Sequence, residues 1–408
     1  MKSTGIVMVV VAASVVLITL RPRLLRARLW RATVTPLASI IGSGFLVVGP
    51  ILADASGHWA WAAMLALCLT AYLFGAAIRR NILTVEPMLG NHPPRVVALL
   101  ERCSEFALAF AYFISVAYYL NLFASFALRA EGVIDVTATR WTSSAVIVIL
   151  GLFGAFRGLS ALENIEAGAV GIKLGLIAGL FAGLSLWIGL ALADNTFSLP
   201  EMVHDTGVHE LQVLLGLVIL VQGFETSRYL GAEYDSATRI KTMRYAQFLS
   251  TAIYLAFILL ITPFFRGELP KTGGETAIID MLAPLGVVVA PLIIFAALAS
   301  QLSAAVADMN GAGGLLSAAT IGRVPVRGGY VATAAVALGI TWLADIYEII
   351  VYASKAFVLY YGLQCSLAAF VAFRRGADFN LVRGLLFVSG TILSVMVLIF
   401  GIPADGAG

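Results

Sequence analysis

Long apolar stretches separated by short polar loops run through the whole sequence. The pattern predicts twelve membrane spans, numbered here from 0 to 11. They cover residues 5–20, 33–52, 59–78, 104–128, 142–156, 167–193, 211–231, 245–265, 281–307, 330–343, 346–373 and 385–400. Span 0 is expected to be a retained anchor, because its positive charge follows the apolar run and no small-residue cleavage site appears.

Glycine interrupts two of these spans, span 1 at Ile41-Gly42-Ser43-Gly44-Phe45 and span 6 at Gln222-Gly223-Phe224-Glu225-Thr226. Broken membrane helices at matching positions of two halves are typical of carrier binding sites, because unwound backbone offers N–H and C=O groups at mid-membrane. Both breaks are expected near the midplane, in helices that run in opposite directions. This favours an inverted repeat of five helices, formed by spans 1 to 5 and spans 6 to 10.

Composition and charge narrow the class of protein. Hydrophobic residues make up 60% of the 408 residues and charged residues 12%, against roughly 25% charged in soluble domains, which excludes a soluble fold. Arginine and lysine cluster in alternate loops, so the positive-inside rule places both chain termini outside the cytoplasm. The basic residues form no patch interleaved with aromatic residues, which argues against nucleic-acid binding.

Several segments resemble the amino acid/polyamine/organocation (APC) transporters. They are Ile41 to Phe45, Gly223-Phe224-Glu225 followed by Gly231 to Asp235 and the basic Arg239 to Arg244, Phe156-Arg157-Gly158 with Gly171-Ile172-Lys173, and Ala307 to Gly311. The resemblance covers roughly residues 33–375. The extra span 0 and Arg228, just after the second break, depart from the family pattern.

The resemblance implies a fold and an activity. The fold is an all-α polytopic membrane protein with a LeuT-like 5+5 inverted repeat and discontinuous helices 1 and 6. Residues 1–31 would form the extra helix and a basic linker, residues 32–376 the transport core, and residues 377–408 a peripheral helix. The activity is secondary active transport of amino acids, or a related small zwitterionic or organic solute, across a bacterial cytoplasmic membrane.

The candidate substrate-binding residues surround the two breaks. They are Ile41, Gly42, Ser43, Gly44, Gly223, Phe224, Glu225 and Thr226. Free N–H groups at Ile41 to Gly44 and near Thr226 are expected to receive a substrate carboxylate. The Glu225 carboxylate and freed carbonyls would receive an ammonium group. The alternative is that the glycines of span 1 only allow close helix packing.

Lys173 is the candidate for ion coupling, because it lies roughly 10 Å inside span 5 and a charged amine is costly there unless it is paired. The resemblance implies that Lys173 replaces a coupling sodium ion, with Ser300 and Ser303 nearby. Transport would then use the proton motive force without a cofactor. The alternative is a structural tether from Lys173 to Glu163 or Glu166.

Two further basic residues lie deep in predicted spans. Arg228 stands three residues after Glu225, so the two side chains either neutralise each other on one helical face or contact substrate. Lys355 is expected to pair with Glu225 or with Glu348. A site with one carboxylate and two cations favours a zwitterionic or anionic substrate. Tyr112 and Tyr119 are candidate gates, although membrane aromatics are more often packing residues.

Other classes of function find less support. The sequence contains no HExxH, GxSxG or Walker-type motif and no histidine spacing for zinc, so neither an enzyme nor a metal site is expected. A membrane sensor or partner subunit that keeps a transporter fold is the main alternative to a carrier. The expected partners are a small solute and membrane lipid, and the sequence specifies no oligomeric state.

Overall fold

The computed structural model describes residues 2–90, 93–159, 166–200, 207–265, 270, 273–374 and 380–404, without the side chains of residues 2, 3, 43, 166 and 167. These residues form seventeen α-helices, joined by turns and short 3-10 segments. The helices are α1 (Lys2–Thr19), α2 (Pro22–Leu25), α3 (Arg28–Gly44), α4 (Val48–Ser56), α5 (Ala60–Thr84), α6 (Glu86–Leu89), α7 (Arg95–Ala130), α8 (Val136–Arg157), α9 (Glu166–Ala193), α10 (Val208–Gly216), α11 (Thr226–Tyr229), α12 (Ser236–Ile261), α13 (Ile278–Met281), α14 (Val289–Ala319), α15 (Val326–Leu343), α16 (Ile346–Phe373) and α17 (Leu381–Phe400).

Each predicted span has a helical counterpart, but nine continuous segments in the described chain are long and apolar enough to cross a membrane. Span 0 corresponds to the shorter apolar helix α1. Span 1 is divided between α3 and α4, and span 6 between α10 and α11. These interruptions are why neither span qualifies as one continuous crossing. The count of twelve spans stays a prediction.

The two interruptions differ in how far the backbone departs from helical geometry. Between α3 and α4, Phe45 and Val47 keep right-handed helical dihedral angles, and the N–H of Val47 bonds to the carbonyl of Gly44. This break lies just beyond the glycines, so the N–H groups expected to be free at Ile41 to Gly44 belong to α3. Between α10 and α11, by contrast, Gln222 is extended and Gly223 has a positive φ of 118°.

The centre of the bundle is formed by α7 and α16. In their most apolar stretches 78% and 72% of residues are buried, against 28% in α8 and α17, which therefore lie at the periphery. Both α14 and α16 pack along α7. The start of α16 is fixed by a capping box, in which Asp345 accepts the N–H groups of Tyr347 and Glu348 while Glu348 accepts that of Asp345.

The additional helix α1 packs along α9 over a row of glycines spaced four residues apart: Gly171, Gly175, Gly179 and Gly183. A Cβ atom at Gly179 would lie 2.5 Å from the carbonyl oxygen of Met8. Glycines at this spacing let two backbones approach closely in a membrane, where helix association depends on close packing. Helix α1 is thus seated directly on the helix that carries Lys173.

We expect Gly179→Val to lower the thermal unfolding temperature of the purified protein, because overpacking a close helix contact costs about 1 to 3 kcal/mol. The matched control is Gly189→Val on the same helix, where an added Cβ meets no atom within 4 Å. Equal unfolding temperatures for the two variants would contradict the observed seating of α1.

Candidate functional site

The break between α10 and α11 lies directly against α3. A Cβ atom at Gly223 would approach the Ser39 hydroxyl oxygen to 2.5 Å and the Ile40 nitrogen to 2.6 Å. Likewise, a Cβ atom at Gly44 would lie 2.4 Å from a methyl carbon of Leu220. Gly223 is therefore required both by its positive φ and by space. The two interrupted helices pack side by side, as the sequence predicts.

The Tyr254 side chain of α12 contacts both interrupted helices. Its hydroxyl oxygen lies 2.9 Å from the carbonyl oxygen of Ile40 in α3 and 2.6 Å from that of Leu220 beside the second break. A phenol carries one proton, so it donates to one carbonyl at a time. Tyr254 is not among the residues predicted from the sequence, where its only signal is a tyrosine in the middle of span 7.

Glu225 is the polar centre of the second break. Its side chain is fully buried, and its Oε2 atom accepts hydrogen bonds from the Gly223 N–H at 2.9 Å and the Tyr361 hydroxyl at 2.8 Å. Its Oε1 atom has no hydrogen-bond partner, and the carboxylate forms no ion pair within the described chain. An unmet buried acceptor is costly, which marks Oε1 as a position for a ligand donor.

Aromatic rings surround this carboxylate on one side. The Tyr361 ring, which donates to Glu225, stacks on Phe74 and Phe224 with centroid distances of 5.1 and 5.0 Å. Tyr112 meets Phe357 edge to face at 5.7 Å. All of these rings are buried. The rings hold the Tyr361 hydroxyl in place, and sequence reasoning did not identify Tyr361.

The donors expected at Thr226 are used inside the turn. The Thr226 hydroxyl donates to the Gly223 carbonyl at 2.7 Å, and its N–H bonds to the same oxygen at 3.3 Å. Helix α11 then lasts only four residues. The prediction that N–H groups here await a carboxylate is therefore not supported, because the tight turn satisfies them locally.

Gln222 faces the candidate gate. Its side-chain amide nitrogen donates to the Tyr119 hydroxyl at 2.7 Å, while its side-chain Oε1 atom is buried and accepts from no described residue. Tyr119 is fully buried on α7. Tyr112 lies two turns along the same helix and contacts α14, where a Cβ at Gly311 would lie 2.9 Å from its ring. Of the two predicted gate residues, Tyr119 thus adjoins the second break, whereas Tyr112 packs against α14 and Phe357.

Arg228 does not neutralise Glu225. Its guanidinium lies 2.8 Å from a Glu101 carboxylate oxygen on α7 and also hydrogen-bonds to Gln364 on α16. The predicted pairing assumed one helical face, but the backbone is extended at Gln222 and helix α11 begins only after Glu225. The two charges therefore point into different surroundings.

Arg228 belongs to a buried charge network. Glu86 follows α5 and binds Arg239 of α12 through both carboxylate oxygens, at 2.9 and 2.6 Å, and lies 3.9 Å from Arg228. Arg239 in turn donates to the Arg228 carbonyl at 2.7 Å. Hence the segment after the second break is tied to helices α7, α12 and α16. Sequence reasoning had not identified Glu101 or Glu86.

Lys355 makes neither of its predicted pairs. It is half-buried on α16, and no ion pair to Glu225 or Glu348 forms, although all three side chains are described. Glu348 instead caps its own helix. The N–H of Asp345 that Glu348 accepts therefore holds this carboxylate at the start of α16, two turns from Lys355.

Lys173, Gly42 and Ser300 meet at a second buried location. The Ser300 hydroxyl donates to the Gly42 carbonyl at 3.2 Å, and a Cβ at Gly42 would lie 3.4 Å from the Lys173 amine and 3.7 Å from the Ser300 hydroxyl. These three residues, with Ile41 and Gln301, line a cavity of about 30 Å³. This volume accommodates a water molecule.

The remaining coupling residues are placed as follows. Lys173 is 4% exposed, so its amine is buried as predicted. Ser303 is half-buried one turn beyond Ser300 and does not line the 30 Å³ cavity. The Ser43 side chain, Glu163 and the Glu166 side chain lie outside the described part of the protein. The tether from Lys173 to those glutamates stays a prediction.

A second buried carboxyl group was overlooked as a site residue. Asp308 on α14 is 2% exposed, and its Oδ2 atom accepts a hydrogen bond from the Ser115 hydroxyl of α7. It lies close enough to Glu225 for the two carboxyl groups to interact electrostatically. The described core of the site therefore holds two carboxyl groups, whereas the nearby guanidinium of Arg228 is paired elsewhere.

Comparison with known proteins identifies relatives along almost the entire chain. A sequence family described as APC superfamily transporters matches residues 22–401. A protein of Aquifex aeolicus (strain VF5), described only as uncharacterized, is 41% identical over 386 residues, which cover 94% of this chain and 93% of that protein. Both similarities include the two interrupted helices and Lys173.

We expect Arg228→Gln to lower the free energy of unfolding by about 3 to 5 kcal/mol, because it leaves Glu101 buried without its ion partner. The control is Arg28→Gln, which breaks a solvent-exposed ion pair with Asp235; the two side chains are 64% and 53% exposed, so this variant should change stability little because water and salt screen exposed pairs. Chemical denaturation in detergent measures both. Similar losses for the two variants would contradict a structural role of the buried network.

Proposed function

The chain belongs to a family of APC superfamily transporters, and on this premise we propose that it is a secondary active transporter of an amino acid or a related small amine. Glu225 is the observation that carries the substrate assignment. Its Oε1 atom is a buried acceptor beside a break in the helix, and no described residue donates to it or forms an ion pair with the carboxylate. A substrate ammonium group supplies both the missing charge and the missing donor.

The structure places different charged groups beside Glu225 than the sequence predicts, and this changes the expected charge of the substrate. The sequence placed one carboxylate and two cations at the site, but Arg228 is paired with Glu101, and Lys355 does not reach Glu225. The centre of the site is consequently acidic, with Asp308 as a second carboxyl group. This favours a substrate whose amine faces Glu225. An aromatic surface of Phe224 and Tyr361 beside it suits the apolar part of the solute.

Alternating access is proposed to follow a LeuT-like 5+5 inverted repeat, with α3 to α9 as one half and α10 to α16 as the other. The side-by-side breaks at Phe45–Val47 and Gln222–Glu225 support this arrangement. The network of Arg228, Arg239, Glu86 and Glu101 lies on the side that carries the basic loops. We assign it the role of closing the cytoplasmic side, since these ion pairs must separate for α11 to move away from α7.

Coupling is proposed to use protons at Lys173. Its amine adjoins Gly42 of the interrupted helix and Ser300 of α14, so movement between α3, α9 and α14 alters its surroundings. A lysine in a membrane interior is a suitable proton carrier because its charged form is costly unless it is paired. The protein is integral to a membrane, which we propose is a bacterial cytoplasmic membrane, with both termini outside.

We expect Glu225→Gln to weaken substrate binding more than tenfold, because a charge-assisted hydrogen bond in a dry site contributes about 1.5 to 3 kcal/mol. The ligand is first found by a thermal-shift screen of amino acids, amines, organic acids and nucleobases, since bound ligand raises the unfolding temperature. Glu233→Gln, at an exposed carboxylate, is the control. Unchanged affinity in Glu225→Gln would refute the proposed amine contact.

We expect Lys173→Ala to abolish accumulation driven by an inward proton gradient in proteoliposomes while leaving binding of the solute measurable. Lys241→Ala, at an exposed lysine on α12, should accumulate solute like the parent protein. Full proton-driven uptake in Lys173→Ala, or a requirement for a sodium gradient, would show that the lysine only supports the structure. Absence of uptake by the parent protein, despite a bound ligand, would favour a sensor.

A further inference from the structure

A separate cavity of about 100 Å³ lies at the opposite end of the bundle from the Arg228 network. Asn121 and Ser125 of α7 line it, together with the turn before α8, residues 273–276 and the start of α16. In the orientation of the proposed function this is the outer side. Tyr347, at the start of α16, stands about 21 Å from Tyr361 along the same helix. The cavity therefore lies on the outer approach to Glu225, along the two helices that form the core.

Acidic groups dominate the described wall of this outer cavity. Asp135, Glu275 and Asp345 line it against the single guanidinium of Arg140. Asp135 and Asp345 each use one carboxylate oxygen to cap a helix, and no described residue donates to the other oxygen. The Glu275 carboxylate has no hydrogen bond or ion pair in the described chain. Negative charge in this cavity is thus only partly compensated.

Tyr347 supplies an independent indication of a ligand. Its side chain lines the cavity and is 3% exposed, yet its hydroxyl forms no hydrogen bond with any described residue. This hydroxyl is close enough to Glu275 and Asp345 to interact with their charges. A buried tyrosine hydroxyl ordinarily finds a partner, so the position of this group calls for one inside the cavity.

We propose that this outer cavity binds the ammonium group of an organic solute, as an entry site distinct from the site at Glu225. The carboxylates of Asp135, Glu275 and Asp345 accept from the ammonium group, and the Tyr347 hydroxyl offers a further oxygen. No three of the described His, Cys, Asp and Glu side chains come together as metal ligands. An organic ammonium group satisfies dispersed acceptors of this kind without a compact ligand shell. The location on the outer approach rests on the proposed function, whereas the charge of the cavity does not.

Charged thiol reagents test whether the electrostatic potential in the outer cavity is negative. Both test variants carry Cys103→Ser, which removes the one exposed native thiol. Thr139→Cys places a thiol on the cavity wall, and the control Ser198→Cys places one on an exposed loop outside the cavity. For each variant, the rate of reaction with a cationic trimethylammonium methanethiosulfonate is divided by the rate with an anionic sulfonate analogue. This ratio should be about tenfold higher for Thr139→Cys than for Ser198→Cys. Glu275→Gln should reduce this ratio. Equal ratios at the two positions would overturn the proposal.

Ligand protection tests binding. n-Butylammonium chloride should slow modification of Thr139→Cys, and sodium butyrate should not. Tyr347→Phe should weaken this protection severalfold without lowering the unfolding temperature, because the deleted hydroxyl has no partner in the described protein. Protection should persist in Glu225→Gln, even if that variant no longer binds substrate. Protection by butyrate, or loss of protection in Glu225→Gln, would refute a separate outer site and leave the site at Glu225 to be judged by its own binding assay.

Discussion

The close contact between Gly223 and α3 is the constraint on which the rest of the site depends. Gly223 has a φ of 118°, so the chain between α10 and α11 leaves the helical path at this residue, and an added Cβ would meet the Ser39 hydroxyl and the Ile40 nitrogen of α3. Tyr254 then joins the two segments through their carbonyl oxygens. Glu225 acquires its position from this turn, because its carboxylate accepts the N–H of the same glycine.

The turn also separates two opposite charges that are neighbours in sequence. Glu225 faces Tyr361 and the aromatic rings, while Arg228 is held by Glu101 and Gln364. In a continuous helix these side chains would lie on one face and compensate each other. Their separation leaves the interior of the site acidic and places the compensated charge at one end of the bundle. A local backbone break thereby determines the electrostatics of the site.

The two ends of the bundle differ in how completely their charged side chains are paired. On the side of the basic loops, Arg228 and Arg239 form ion pairs with glutamates, and these pairs connect the helices. At the other end, the described lining of the cavity holds three carboxylates and one arginine, and the Tyr347 hydroxyl has no hydrogen-bond partner among the described residues. Paired buried charges stabilise an existing arrangement only while both partners stay together. Partly compensated groups, by contrast, remain available to a ligand.

The sequence by itself determined the class of fold, the approximate position of each long helix and the break at Gly223, because hydropathy and glycine placement are properties of consecutive residues. The buried position of Lys173 followed in the same way, and its proximity to Ser300 followed from family resemblance. Only the tertiary structure decided that the first break lies just beyond Gly44, that Arg228 binds Glu101, and that Tyr254, Tyr361 and Asp308 join the site. These contacts connect residues up to 214 positions apart. Side-chain pairing across helices depends on how the helices are rotated and packed, which the periodicity of any one segment does not specify.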